Sequence, residues 1–173
     1  MQIGNDGMLL SDFNQYLTAA AGALLLDCCF SKRWVALMLR ARPFADKQSM
    51  LAKATAIWRD LAAEDYLEAF RGHPRIGDKA KGRAASEQAQ VATADAAVLQ
   101  ALAAGNEAYE QRFGFIFIIC ARGKPPAEIL AALQQRLSND RATEIQLAAA
   151  EQEQITAQRL IASIIEEATP CVV

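Results

Sequence analysis

Three residues stand where their chemistry could be put to use: His73, Glu87 and Arg159. His73 is the sole histidine in 173 residues. Pro74 behind it steers the backbone away from α geometry and fixes its direction. Imidazole titrates near neutrality without help, so the chemistry on offer is proton transfer; the plain alternative is a solvated loop histidine. Glu87 would share a helix face with Val91, Ala94, Val98 and Leu102, at the N-terminal end of an apolar stripe. A carboxylate there can partner an acid or base, or simply complement the helix dipole. Arg159 falls between the apolar positions Ile155 and Ala162 of a long last helix. A guanidinium in such a place needs an anion, supplied by a ligand or by the protein, Glu87 included. Two weaker features remain. Gly114, between Phe113 and Phe115, permits close backbone approach, and Lys79, Lys81 and Arg83 form a basic cluster too small for nucleic acid.

The elements that must hold these residues read as helix after helix. Ser11-Asp12 caps a first helix to about Cys29, with Phe13, Leu17, Leu24 and Cys28 as its core stripe. Ser31 caps a second, carrying Trp34, Leu37 and Met38 and stopping before Pro43. Asp46 caps a third through Leu51, Ile57, Trp58 and Leu61; Glu64 to Phe70 is a short fourth closed by Gly72. Residues 72–83, with three glycines, a proline and six basic or titratable residues, are a loop. Helix is expected again from Ala84 to Ala104, stopped by Gly105, with Asn106 capping a short helix to Arg112. Phe113 to Cys120 has the composition of a buried strand but no strand to pair with. It is read as a buried extended segment or short helix. Pro126 opens a helix through Leu137, and Asn139-Asp140 caps the last helix, to about Glu167. The expected class is all-α: one compact multi-helix domain over 1–173, with 1–10 free to be disordered.

Composition removes several classes of function. Eighteen Lys plus Arg against twenty Asp plus Glu give a net charge of -2, without the basic excess of a nucleic-acid binder. The longest apolar stretches, Ala19–Leu26 and Phe115–Ala121, fall far short of the ~18–20 residues that span a bilayer. The first basic residue is Lys32, so no secretory leader is expected, and the residues at 169–173 match neither a peroxisomal nor a prenylation signal. The expectation is a cytoplasmic protein. Cys28, Cys29, Cys120 and Cys171 form no C-x-x-C pair and are read as free thiols, the first three buried. One histidine cannot build a multi-histidine zinc site, and no metal is expected.

The residues singled out above resemble the OHCU decarboxylase family. Its members convert 2-oxo-4-hydroxy-4-carboxy-5-ureidoimidazoline to S-allantoin in urate degradation. The resemblance is carried by His73-Pro74-Arg75-Ile76-Gly77, by Glu87-Gln88, and by Arg112-Phe113-Gly114-Phe115 continuing to Lys124. It extends through Glu128-Ile129-Leu130, Asn139-Asp140-Arg141 with Glu144, and Arg159-Leu160, and reaches back to Ser31-Lys32-Arg33-Trp34 and Arg42-Pro43-Phe44. No single motif decides; together they are specific. The resemblance implies an all-α bundle, commonly a homodimer, with no metal or organic cofactor. It implies a catalytic histidine, glutamate and arginine at His73, Glu87 and Arg159. It places substrate binding at Pro74, at Ala84 and along the main chain of Ile118, Ile119, Cys120 and Ala121. Many members carry a ligand-touching serine in Ser-x-x-Glu-Gln; that position here is Ala84, and the nearest hydroxyl, Ser86, points about 100° away on a helix. The loop between His73 and Glu87 is also short for the family. Two other readings stand beside this one: acid–base chemistry on another purine-derived ureide, and a helical binding module without catalysis.

Overall fold

In the computed structural model residues 7–15, 18–78 and 81–166 are described. Regular structure among them is nine α-helices, one short 3₁₀ turn and a two-stranded scrap of sheet, so the all-α expectation holds. The chain divides into two units. One is built from the described residues up to Asp65 together with those from Glu153 onward; the other is Tyr66–Gln152.

The first unit begins with β1, Met8–Leu9, which pairs in parallel with β2, Ile164–Ile165, from the far end of the chain. Helices α1, Leu10–Gln15, and α2, Thr18–Cys28, cover the stretch read as one helix. Phe13 and Cys28 are buried as expected, but Leu25 rather than Leu24 completes the stripe, and Leu17 lies outside the described residues. Ser31 caps α3, Lys32–Arg40, by accepting the Trp34 N–H. Trp34 is fully buried and its indole donates to Ala54 O at 3.1 Å. Asp46 caps α4, Lys47–Arg59, in a reciprocal capping box with Ser49. The buried face of α4 is Met50, Ala54 and Trp58, with Leu61 buried just beyond it; Trp58 and Leu61 are as expected, while Leu51 and Ile57 are only half-buried. Helix α5, Ala63–Phe70, carries the chain from the first unit into the second.

In the second unit the expected helix from Ala84 to Ala104 does not form as one piece. There is a single turn and a half, α6, Arg83–Glu87, then a 3₁₀ turn at Val91–Thr93, then α7, Ala96–Phe113, capped by Asp95. The apolar stripe joining Glu87 to Leu102 is therefore interrupted. Gly105 is not a stop. It lies within α7, where a Cβ would come 2.6 Å from Leu133 Cδ2 of α8, Pro126–Arg136. Its missing side chain lets the two helices approach. Asn106 is no cap either: it is buried and its amide donates to Ile76 O at 2.7 Å. The true stop is Gly114, in the left-handed region at φ 76°, and among the described residues nothing lies within 4 Å of where its Cβ would be. Helix α9, Arg141–Ser163, is capped by Asp140, which accepts the Thr143 N–H at 2.9 Å. Its residues up to Gln152 belong to this unit and the rest to the first.

Candidate functional site

The segment after Gly114 is extended and without a partner strand, as its composition allowed. Phe117, Ile118, Ile119, Cys120 and Ala121 are all buried. Such a backbone must find its hydrogen bonds elsewhere, and long polar side chains supply them. Arg136 Nη1 donates to Ile118 O at 2.8 Å, while just before the segment Arg141 Nε donates to Phe113 O, at the end of α7, at 2.9 Å. The Cys120 N–H donates to a Glu151 carboxylate oxygen at 2.7 Å, and Lys124 Nζ donates to Cys120 O at 2.8 Å. In extended chain alternate residues turn their N–H and C=O to opposite edges. The bonds to 118 and 120 thus occupy one edge. Among the described residues no hydrogen bond reaches the main chain of Ile119, whose groups lie on the other.

Arg136 can do this because it is itself held. It is buried, its Nε donates to Glu144 at 2.9 Å, and the Tyr109 hydroxyl donates to the same carboxylate oxygen. Asn139 donates to the other Glu144 oxygen at 2.7 Å. The guanidinium also lies 4.7 Å over the Phe117 ring. Burial, and the hydrogen bond to Glu144, push the Tyr109 hydroxyl well above its usual range, so it stays a donor.

The His73 loop is fixed by the same unit. Asn106 holds Ile76 O, Gln88 accepts the Gly77 N–H at 3.1 Å, and Arg75 forms a two-pronged ion pair with Glu110. His73 is half-buried, with Nε2 2.6 Å from Oε1 of the fully buried Gln152. Glu151 and Gln152 are consecutive on α9, so one turn of helix takes both the histidine and the Cys120 main chain. Glu87 is half-buried at the end of α6, and Ala84 lies three residues before it, on the same face. Glu87 belongs to the same surroundings. Burial pushes the Cys120 thiol upward against the pull of Lys124, and the charges of Glu151 and Glu87 add to the rise.

Arg159 lies in the first unit. It is buried, and its Nη1 donates to the carbonyls of Asp27 at 3.2 Å and Cys28 at 3.5 Å. Those oxygens end α2, where the helix dipole presents negative charge. Part of the anion that the sequence demanded is therefore supplied by backbone. Cys28 and Cys29 are buried free thiols. Burial drives Cys29 up to about 12, opposed by a hydrogen bond from Thr156, one from the Ser31 backbone and the charge of Arg159. Cys120 is likewise free and buried, while Cys171 lies outside the described residues. Lys79 of the basic cluster also lies outside them. Among the described residues no group of three His, Cys, Asp or Glu could hold a metal, and no helix is long and apolar enough to cross a membrane.

The sequence had singled out His73, Glu87 and the 118–121 run. It had not singled out Glu151, Gln152, Tyr109 or Arg136, and it named Glu144 only among the carriers of the resemblance. Their signal was faint: polar residues at helical spacing inside otherwise apolar faces, most plainly Glu144 beside Ile145 and Gln152 beside Ile155.

Known proteins resemble this chain in sequence and in fold. A family model described as OHCU decarboxylase matches residues 14–161. A 2-oxo-4-hydroxy-4-carboxy-5-ureidoimidazoline decarboxylase of Haloferax volcanii is 30% identical over 136 residues, covering 73% of this chain and 79% of its own length. A uric acid degradation bifunctional protein of Arabidopsis thaliana is 35% identical over 142 residues, 77% of this chain; the match spans 44% of that longer protein. A crystal structure of OHCU decarboxylase obtained in the presence of (S)-allantoin superposes with a TM-score of 0.71 at 38% identity, covering 78% of this chain and 92% of the other.

Proposed function

The chain belongs to the OHCU decarboxylase family, and we propose that it converts 2-oxo-4-hydroxy-4-carboxy-5-ureidoimidazoline to S-allantoin with His73, Glu87 and Arg159 as its catalytic residues. The observation that carries this assignment of residues is the grip of one helical turn: Gln152 on His73 and Glu151 on the Cys120 main chain. That arrangement aims an imidazole and a rigid extended backbone from a common support, which a loop histidine in a plain binding module would not need.

The substrate is an anionic ring rich in amide groups. When its C–CO2 bond breaks, the electron pair enters the ring C=N conjugation. The hydroxyl proton is given up as the carbonyl forms, the ring nitrogen that received the pair takes up a proton, and a further proton is delivered to one face of the ring carbon that bore the C=N bond. The ring itself is the electron sink, so the protein has to hold the carboxylate out of plane and manage these proton transfers. His73 serves at the substrate hydroxyl and carboxylate. Glu87 orients the ureido group or acts as the partner base. Arg159 binds anionic or carbonyl oxygen, two-pronged where geometry allows. Ring amides meet the main chain of Ile118 to Ala121, and the pattern of bonds to 118 and 120 favours Ile119 as the working position. Pro74 and Ala84 are further substrate contacts in this reading, with Ala84 leaving out the hydroxyl contact that a serine would make.

The test is stereochemical. Urate is degraded with urate oxidase and hydroxyisourate hydrolase, with and without this protein, and optical activity is followed by circular dichroism. Uncatalysed decay gives racemate, so a growing signal of the S isomer is the expected result and a trace matching the blank overturns the reading. His73→Ala and Glu87→Ala should each abolish the signal with helical ellipticity intact; retained turnover in either removes that residue from the assignment. Homodimerisation and a cytoplasmic location are parts of the same reading, checked by sedimentation velocity and by fractionation.

A further inference from the structure

We infer that Gln152 is a positioning residue that fixes the tautomer of His73, holding the proton on Nε2 and presenting the Nδ1 lone pair as the proton-accepting atom. The argument begins with what each group can do. The Gln152 side-chain oxygen only accepts. At 2.6 Å from His73 Nε2 it demands a hydrogen there. A neutral imidazole has one N–H, so with Nε2 as the donor the lone pair stands on Nδ1. Gln152 is itself fully buried on α9, where an amide that lost its partner would pay the desolvation of an unsatisfied polar group. The next residue along, Glu151, is engaged with the Cys120 N–H at 2.7 Å. A rotation of this helical turn to suit a different histidine orientation would therefore disturb the extended segment as well. The ring is oriented from behind and its protonation pattern is set by a neutral group. A carboxylate in this position would stabilise the imidazolium; an amide selects a tautomer without adding charge. The inference rests on the proposed decarboxylase reading for its chemical meaning: Nδ1 would be the atom that takes the substrate hydroxyl proton.

Because His73 is the sole histidine, the imidazole ¹⁵N spectrum of uniformly labelled protein reports on it alone. Protonated and lone-pair nitrogens of a neutral ring are widely separated in that spectrum, and their long-range couplings to the ring protons identify which is which. Wild-type protein above neutral pH should show a single Nε2–H tautomer. Gln152→Met, similar in size but without an acceptor, should lose that single state and populate Nδ1–H. Gln152→Glu, which restores an oxygen, should keep Nε2–H. An Nδ1–H tautomer in the wild type, or a Gln152→Met spectrum unchanged from it, overturns the inference. Should Gln152→Met fail to fold by circular dichroism, the wild-type and Gln152→Glu spectra still decide. In turnover, Gln152→Met should lower kcat by about 100-fold, the low end of what a positioned acid–base group contributes, with KM nearly unchanged. The two readings fail separately. An inactive wild type with the expected tautomer pattern defeats the decarboxylase reading alone. An active Gln152→Met with an unchanged tautomer defeats this one alone.

Discussion

Glu144 is a full charge with no exposed side-chain surface, and Arg136 beside it is only 10% exposed. Taking two such ions out of water is costly, and the cost is offset only when every oxygen and N–H has a partner. Here both Glu144 oxygens do, and the remaining guanidinium nitrogen is spent on Ile118 O. Removing one partner leaves the other charge buried and alone. Glu144→Gln should lower the unfolding free energy by about 3–5 kcal/mol in urea titration. Glu153→Gln, which breaks an ion pair with an Arg59 that is 70% exposed, should move the midpoint far less. Equal losses would mean that burial does not set the value of these pairs. The histidine proposed to react was legible in the sequence because histidine is rare and proline marks a turn. The supports were not, because a buried glutamate and a solvated one are the same letter. What distinguishes them is tertiary: whether an arginine eight residues away folds back to meet it.

Glycine and asparagine at positions 105 and 106 show why the elements were harder to bound than to find. In sequence a Gly-Asn pair reads as a stop and a cap. In the structure α7 runs through both, because closeness to α8 and a bond to the His73 loop outweigh local preference. The expected gain of about 1 kcal/mol from Gly to Ala in a helix interior should therefore be reversed at this position. Gly105→Ala forces its methyl against a fully buried Leu133. Overpacking of this kind costs about 1–3 kcal/mol. Thermal unfolding should show a lower Tm than wild type; a higher one would mean that α8 gives way at little cost. The caps at Ser31, Asp46 and Asp140 were legible because their side chains act within three residues. The break between α6 and α7 was not, since apolar spacing continued across a stretch where the helix did not.

For the whole molecule the titrating groups define a window of pH. Asp46 and Asp140 have carboxyls held below the usual range by the N–H groups they cap. Their folded values are depressed, so their contribution is present above about pH 4 and is lost as pH falls through those values. Cys29 and Cys120 are displaced upward by burial. Their stabilisation is complete below the ordinary thiol value of 9.0 and falls as pH rises above it, for Cys29 toward about 12. Tm should be level between about pH 5 and 9 and decline on either side. A decline beginning near pH 7 would mean that a group other than these thiols sets the alkaline limit. In native protein Cys28, Cys29 and Cys120 should also react slowly with a thiol reagent at pH 8, and rapidly once denatured, as peptide mapping of the labelled sites would show. The all-α class was legible from the recurrence of caps and apolar spacing. The division into two units was not, because nothing in composition changes at Asp65 or Glu153.

That division also has a direction in time. Tyr66–Gln152 is one unbroken stretch, while its companion needs residues from both sides of it, down to the pairing of Met8 with Ile164. A chain emerging from the ribosome therefore holds the whole of one unit before it holds the whole of the other. Until α9 is finished, Leu10 and Phe13 of the early segment await Ile164 and its neighbours, and that long closure carries the larger entropic toll. In pulsed hydrogen exchange during refolding, amides of α8 should gain protection before those of α1. Simultaneous protection would mean that the two units are made as one cooperative event. On this view the stretch holding His73, Glu87 and the extended backbone is assembled first, and the half holding Arg159 arrives last.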